Sequence, residues 1–170
     1  MLKGQDVVVL LKLAHTSSGW TVRSLASELR MPPAGVHRSI ARLADAGLLD
    51  SERRRVNRSR AEEFLVHAVP YVFPPVFGGQ TRGVRTAWAA HPLVEQLAPT
   101  DEVPPVWPFA RGEDRGIALE PLHGALPELA QSDISLAEDL TLVDALRLGD
   151  ARVRRVAADL LRQRLGGSPP

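Results

Sequence analysis

The sequence predicts a mainly α fold with a small β wing. Three observations lead there. Apolar residues recur at helical spacing through the first 46 residues and again from Leu122 onward. A glycine stop, Gly47, is followed by Leu48-Leu49 and a polar, arginine-rich stretch suited to a short hairpin. Between the helical parts lies a segment dense in proline and aromatic residues, which favours neither regular element.

The first helix is expected over Leu2 to Ala14, with Val7, Leu10, Leu11 and Ala14 on one side. His15-Thr16-Ser17-Ser18-Gly19 reads as a loop. Thr21 is placed to cap a second helix, Val22 to Leu29. Met31-Pro32-Pro33 cannot continue it, because a residue before proline is pushed toward extended geometry. Pro33 instead suits the first turn of a third helix running to Ala46, with Val36, Ile40 and Leu43 inward. Leu48-Leu49 starts a strand, and Ser51 to Arg60 forms the wing or tight turn. Asn57 or Ser59 caps a fourth helix over Arg60 to Val69, with Phe64, Leu65 and Ala68 inward.

Composition changes at Pro70. Eight of the 14 prolines fall between Pro70 and Pro108, alongside Tyr71, Phe73, Phe77, Trp88 and Trp107. Large apolar side chains argue for an ordered irregular segment rather than a flexible linker. The chain therefore divides into residues 1–69 and residues 70–170. The second part ends in two strongly apolar helices, Leu136 to Leu148 and Ala151 to Leu165, and a frayed tail, Gly166 to Pro170.

Charge is unevenly placed. Residues 1–68 carry 11 positive and 7 negative side chains, a net of +4, so the remainder carries −3 of the overall +1. A basic head on an acidic body is the asymmetry expected where one part meets phosphate. No cysteine is present, which removes disulfides, thiolate metal sites and cysteine nucleophiles. The first residues lack the pattern of a signal peptide, and no apolar run reaches the roughly 20 residues that span a bilayer. These features suit a cytoplasmic protein.

Two helices joined by a short turn need a fixed apolar skeleton if the second is to enter a major groove. Val22, Leu25, Ala26 and Leu29 supply one side, and Val36, Ile40 and Leu43 the other. The outer face of the third helix is then Ala34, Gly35, His37, Arg38, Ala41, Arg42 and Asp45. Thr21 to Leu29, Val36 to Leu43 and Ala46-Gly47-Leu48-Leu49 together resemble the winged helix-turn-helix of MarR-like and IclR-like regulators, over about the first 65 residues. The resemblance implies a bacterial-type, sequence-specific transcriptional regulator, a homodimer on double-stranded DNA. The chain departs from the pattern at Pro32, which stands where such regulators place a Ser or Thr cap.

The DNA-contacting candidates are Thr21, Arg23, Pro33, Ala34, Gly35, His37, Arg38 and Arg42 from the helices, and Arg53, Arg54, Arg55 and Arg58 from the wing. The competing reading is a protein-interaction module, antitoxin-like or scaffolding, that uses the same fold to hold a partner. Enzymatic chemistry has no supporting constellation. His15, His37, His67, His91 and His123 lack metal-ligand spacing, and His67 reads as a core histidine. Gly78-Gly79-Gln80-Thr81-Arg82-Gly83 lacks a P-loop lysine and reads as a turn with a buried or capping Arg82. Glu113, Asp114, Glu120, Asp133, Glu138, Asp139 and Asp144 have no motif around them, and several read as solvent-facing. No cofactor or metal is implied. The aromatic segment is a place for a small-molecule effector that the sequence does not locate. The apolar faces Leu136/Leu140/Val143/Leu146 and Val153/Val156/Leu160/Leu161 favour dimerisation, with closure of the chain's own core as the alternative.

Overall fold

The computed structural model describes residues 1–166 and is 54% helical with a small sheet. The expected tail beyond Gly166 lies outside the described residues.

The N-terminal part consists of α1 (Gly4–Ala14), α2 (Val22–Glu28) and α3 (Pro33–Asp45), followed by the hairpin β1 (Leu49–Asp50) and β2 (Arg55–Val56). Local chemistry sets its boundaries. Thr21 caps α2 by accepting from the Ser24 backbone N–H at 3.0 Å, while Ser24 Oγ accepts from the Thr21 N–H. Helix α2 ends with Met31 N–H bonded to Ala26 O and Arg30 N–H to Ser27 O, with Arg30 at φ 51°. Helix α3 ends in the same closure: Leu48 N–H meets Leu43 O, Gly47 N–H meets Ala44 O, and Gly47 has φ 70°. Only the second of these closures uses the glycine that the left-handed region favours.

Asn57 caps α4 (Arg58–Glu63), accepting from Arg60 N–H at 3.2 Å. This helix does not stop at Val69. It widens into a π turn, Phe64–Ala68, and continues as α5 (Val69–Val72) through Pro70. Proline has no N–H to give and its ring crowds the preceding turn, so a wider turn ahead of Pro70 lets the helix pass it. His67 on this helix is exposed rather than in the core.

The proline and aromatic segment is not irregular throughout. It contains three strands, β3 (Phe77–Arg85), β4 (Pro105–Pro108) and β5 (Asp114–Leu119), each paired with the other two. Strand β3 is antiparallel to both neighbours, and β4 and β5 are parallel. The glycine-rich stretch Gly78–Gly83 is therefore strand, not turn, and Arg82 is exposed, reaching only Gly112 O at 3.4 Å. A Cβ on Gly83 would strike the Trp107 carbonyl, and one on Gly116 the Pro104 carbonyl. Strands this close leave no room for side chains at those two crossings.

Helices α6 (Leu126–Ser132), α7 (Ile134–Leu148) and α8 (Ala151–Gly166) complete the chain. Helix α7 is the central element. Leu136, Leu140, Leu142, Val143, Ala145 and Leu146 on it are all at most 3% exposed. They belong to a single apolar cluster that runs from Val7 in α1 to Leu165 in α8. The two expected parts thus share one core. The apolar faces read as a dimer surface are used inside the chain: Leu161 is buried, and Val153, Val156 and Leu160 pack against the same cluster. Asp139 and Asp144 on α7 are buried as well, not solvent-facing. No helix among the described residues is long and apolar enough to cross a membrane.

Candidate nucleic-acid interface

Helix α3 packs on α1 along a polar seam as well as an apolar one. Gln5 Nε2 donates to Gly35 O at 3.3 Å and to Ser39 Oγ at 2.9 Å. Arg42 donates from Nε and from a terminal nitrogen to the two Asp6 oxygens at 2.7 and 2.6 Å. Asp6 is 1% exposed. Burial raises its pKa, but hydrogen bonds from Arg42, Ser39 and the Lys3 backbone outweigh that and hold the carboxyl below its ordinary value. The buried face of α3 is Gly35, Val36, Ser39 and Leu43, with Ile40 only partly covered. Relative to Val36/Ile40/Leu43, the helix is turned by roughly 50°, half of one residue's step.

That turn corrects two of the candidates. Gly35 is buried against α1 rather than lying on the outer face, and Arg42 is committed to Asp6. Pro33, Ala34, His37, Arg38, Ala41 and Asp45 remain exposed. Thr21 and Arg23, at the start of α2, are exposed too, with the Thr21 hydroxyl engaged in the cap.

The hairpin arginines divide in the same way. Arg54 adopts φ 53° and folds back over the Trp20 ring, its guanidinium carbon 3.9 Å from the ring centroid. It also donates to Trp20 O at 2.8 Å, and Trp20 Nε1 donates to Arg54 O at 3.2 Å. This reciprocal clip fastens the hairpin to the core, so Arg54 serves the fold. Arg58 donates to the backbone carbonyls of Leu165 and Ala14, tying the start of α4 to the ends of α8 and α1. Arg53 is 82% exposed with a loose 3.8 Å approach to Asp50, and Arg55 is exposed.

The candidates that stay exposed are Thr21, Arg23, Pro33, Ala34, His37 and Arg38 from the two helices and Arg53 and Arg55 from the hairpin. Trp20 is the residue that sequence reasoning missed. Its only signal was a lone aromatic directly before the α2 cap, and its partner lies 34 positions away. Among the described residues, no group of three or more His, Asp or Glu side chains is placed to hold a metal. No protein-family model, curated protein or solved structure matches the chain.

Proposed function

We propose that residues 1–69 form a winged helix-turn-helix that binds double-stranded DNA, and that the protein is a transcriptional regulator. The observation that carries this reading is the exposure of its basic candidates: His37 and Arg38 on α3 and Arg53 and Arg55 on the hairpin that follows it all reach solvent. Small Ala34 and Ala41 on the same face let the helix backbone approach base edges closely. In this reading α3 lies in the major groove, Arg38 contacts a base, and Arg53, Arg55 and Arg23 contact phosphates. The chain acts as a dimer, because one such module reads too few base pairs for discrimination in a genome.

The test is binding to duplexes, beginning with the promoter of its own gene, across a range of salt concentrations. Affinity should fall linearly in log–log form, with a slope set by the number of phosphate contacts. No binding to any duplex would end the reading. A second reading, a protein-interaction module, is supported by the exposed apolar residues Tyr71, Val72, Val76 and Phe77, which are 49–81% exposed and lie within seven positions of one another. It is the one to pursue if duplex binding fails.

A further inference from the structure

A cavity of about 740 Å³ opens where the chain between β3 and β4 faces the junction of α7 and α8. That volume lies within the range of small-molecule sites. Its apolar lining comes from Trp88 and Leu97 on one side and Leu148 and Val153 on the other. All four pack against the core and all four are only half-buried, so an apolar surface with a large aromatic stays open to solvent.

The charges around this lining are not equally available. Arg85 is held by Asp114, with Nε 2.8 Å from Oδ1. Asp150 is spent at the start of α8, where its Oδ1 accepts from Val153 N–H at 2.9 Å. Asp101, Glu102 and Arg152 remain, all exposed and none in a salt bridge among the described residues. Two uncommitted carboxylates and one uncommitted guanidinium therefore line the same cavity as Trp88.

An anion entering this space meets Asp101 and Glu102, whereas a cation with an apolar body gains from both features. Its charge sits against the carboxylates and the aromatic face, and its body replaces water on Leu97, Leu148 and Val153. We propose that this cavity is a binding site for a small organic cation, an aromatic or alkyl amine. The proposal is independent of the DNA-binding reading, since none of the residues that line the cavity is among the DNA-contacting candidates.

The experiment titrates the full chain, without DNA, with benzyltrimethylammonium, benzyl alcohol and benzoate, by calorimetry and tryptophan fluorescence. The cation is expected to saturate a single site at least about tenfold more tightly than either of the others. Replacing Asp101→Asn with Glu102→Gln should bring its affinity to within about threefold of benzyl alcohol. Trp88→Leu should weaken the cation and remove the fluorescence change. The carboxylate variant alters exposed groups only, so its result stands whatever Trp88→Leu does to folding. Benzoate binding as tightly as the cation would overturn the proposal. So would unchanged cation affinity in the carboxylate variant, or the absence of saturable binding to the parent chain.

Discussion

Arg38 and Arg42 stand four positions apart on α3, yet only Arg38 faces solvent. Arg38→Ala should leave the melting temperature unchanged and weaken specific duplex binding by about 1–3 kcal/mol, the worth of one good base contact. Anisotropy titrations on matched and mismatched duplexes check this, and equal affinity of parent and variant on every duplex would remove Arg38 from the interface. Arg42→Ala should act on stability instead. It strands the buried Asp6 carboxylate, and with the Arg42 side chain still 19% exposed the cost belongs near about 3 kcal/mol, the low end for breaking a buried pair. Its pH dependence has a definite sign. The folded Asp6 pKa is depressed, so the unfolded chain takes up the proton first. The pair's contribution is full above about pH 4, near the ordinary carboxylate value, and is lost as the pH falls through the folded value. Denaturation curves of parent and Arg42→Ala should therefore converge in acid, and a constant gap from neutral to acid pH would refute this assignment.

At the scale of elements, the hairpin and the three-stranded sheet each have a polar anchor to the core. For the hairpin it is the Arg54–Trp20 clip. Changing Arg53 and Arg55 together to Ala should flatten the slope of log affinity against log salt by up to about two units, one per phosphate contact, at unchanged melting temperature. Adding Arg54→Ala should lower stability by about 1 kcal/mol or more, the sum of an exposed cation–π contact and a hydrogen bond. For the sheet the anchor is Asp144 on α7. Its Oδ2 accepts from Thr86 Oγ1 and Trp107 Nε1, both at 2.7 Å, and its Oδ1 accepts from Arg147 at 2.6 Å. Arg147 in turn donates to Phe73 O at 2.7 Å. Burial pushes the Asp144 carboxyl up despite these partners. Asp144→Ala leaves three buried donors without an acceptor and should cost about 3–5 kcal/mol, read from urea unfolding. A loss under 1 kcal/mol would show that the sheet docks without it.

For the whole molecule, α7 is the piece that the N-terminal helices and the sheet both need. The polar contacts follow the same plan: Lys12 on α1 reaches Asp133, the cap of α7, at 2.8 Å, and His15 Nε2 lies 2.7 Å from the buried Asp139 Oδ2. A chain ending at Pro121 should therefore lose its cooperative thermal melt by circular dichroism, because α1 would lose the part of its cover that α7 supplies. A cooperative melt near the parent temperature would show that the first 121 residues fold alone. The proposed dimer must then use a surface outside the α7–α8 core. Light scattering of the full chain at micromolar concentration should give about twice the 18.5 kDa monomer mass, and a monomeric result would remove the dimer.

Signals that act within a few residues were legible in advance. The Thr21 and Asn57 caps, the Gly47 stop, Pro33 in the first turn of α3 and the strand at Leu49 all rest on contacts made inside one turn of chain. The apolar repeats of α7 and α8 were legible as helices for the same reason. What those helices cover was not, because an apolar face states that it must be buried without stating by what; here α7 and α8 cover each other, with α1, α4, α5, α6 and the Ala87–Ala89 turn packed around them. Tertiary structure also decided the job of each arginine. Arg42, Arg54 and Arg58 look like Arg38, Arg53 and Arg55 along the chain, and only partners 34 to 107 positions away separate them. The Gly78–Gly83 stretch became strand rather than turn because it pairs with β5 along its length and with β4 at Gly83, where the Trp107 carbonyl leaves no room for a side chain, and those partners arrive only once the chain has folded.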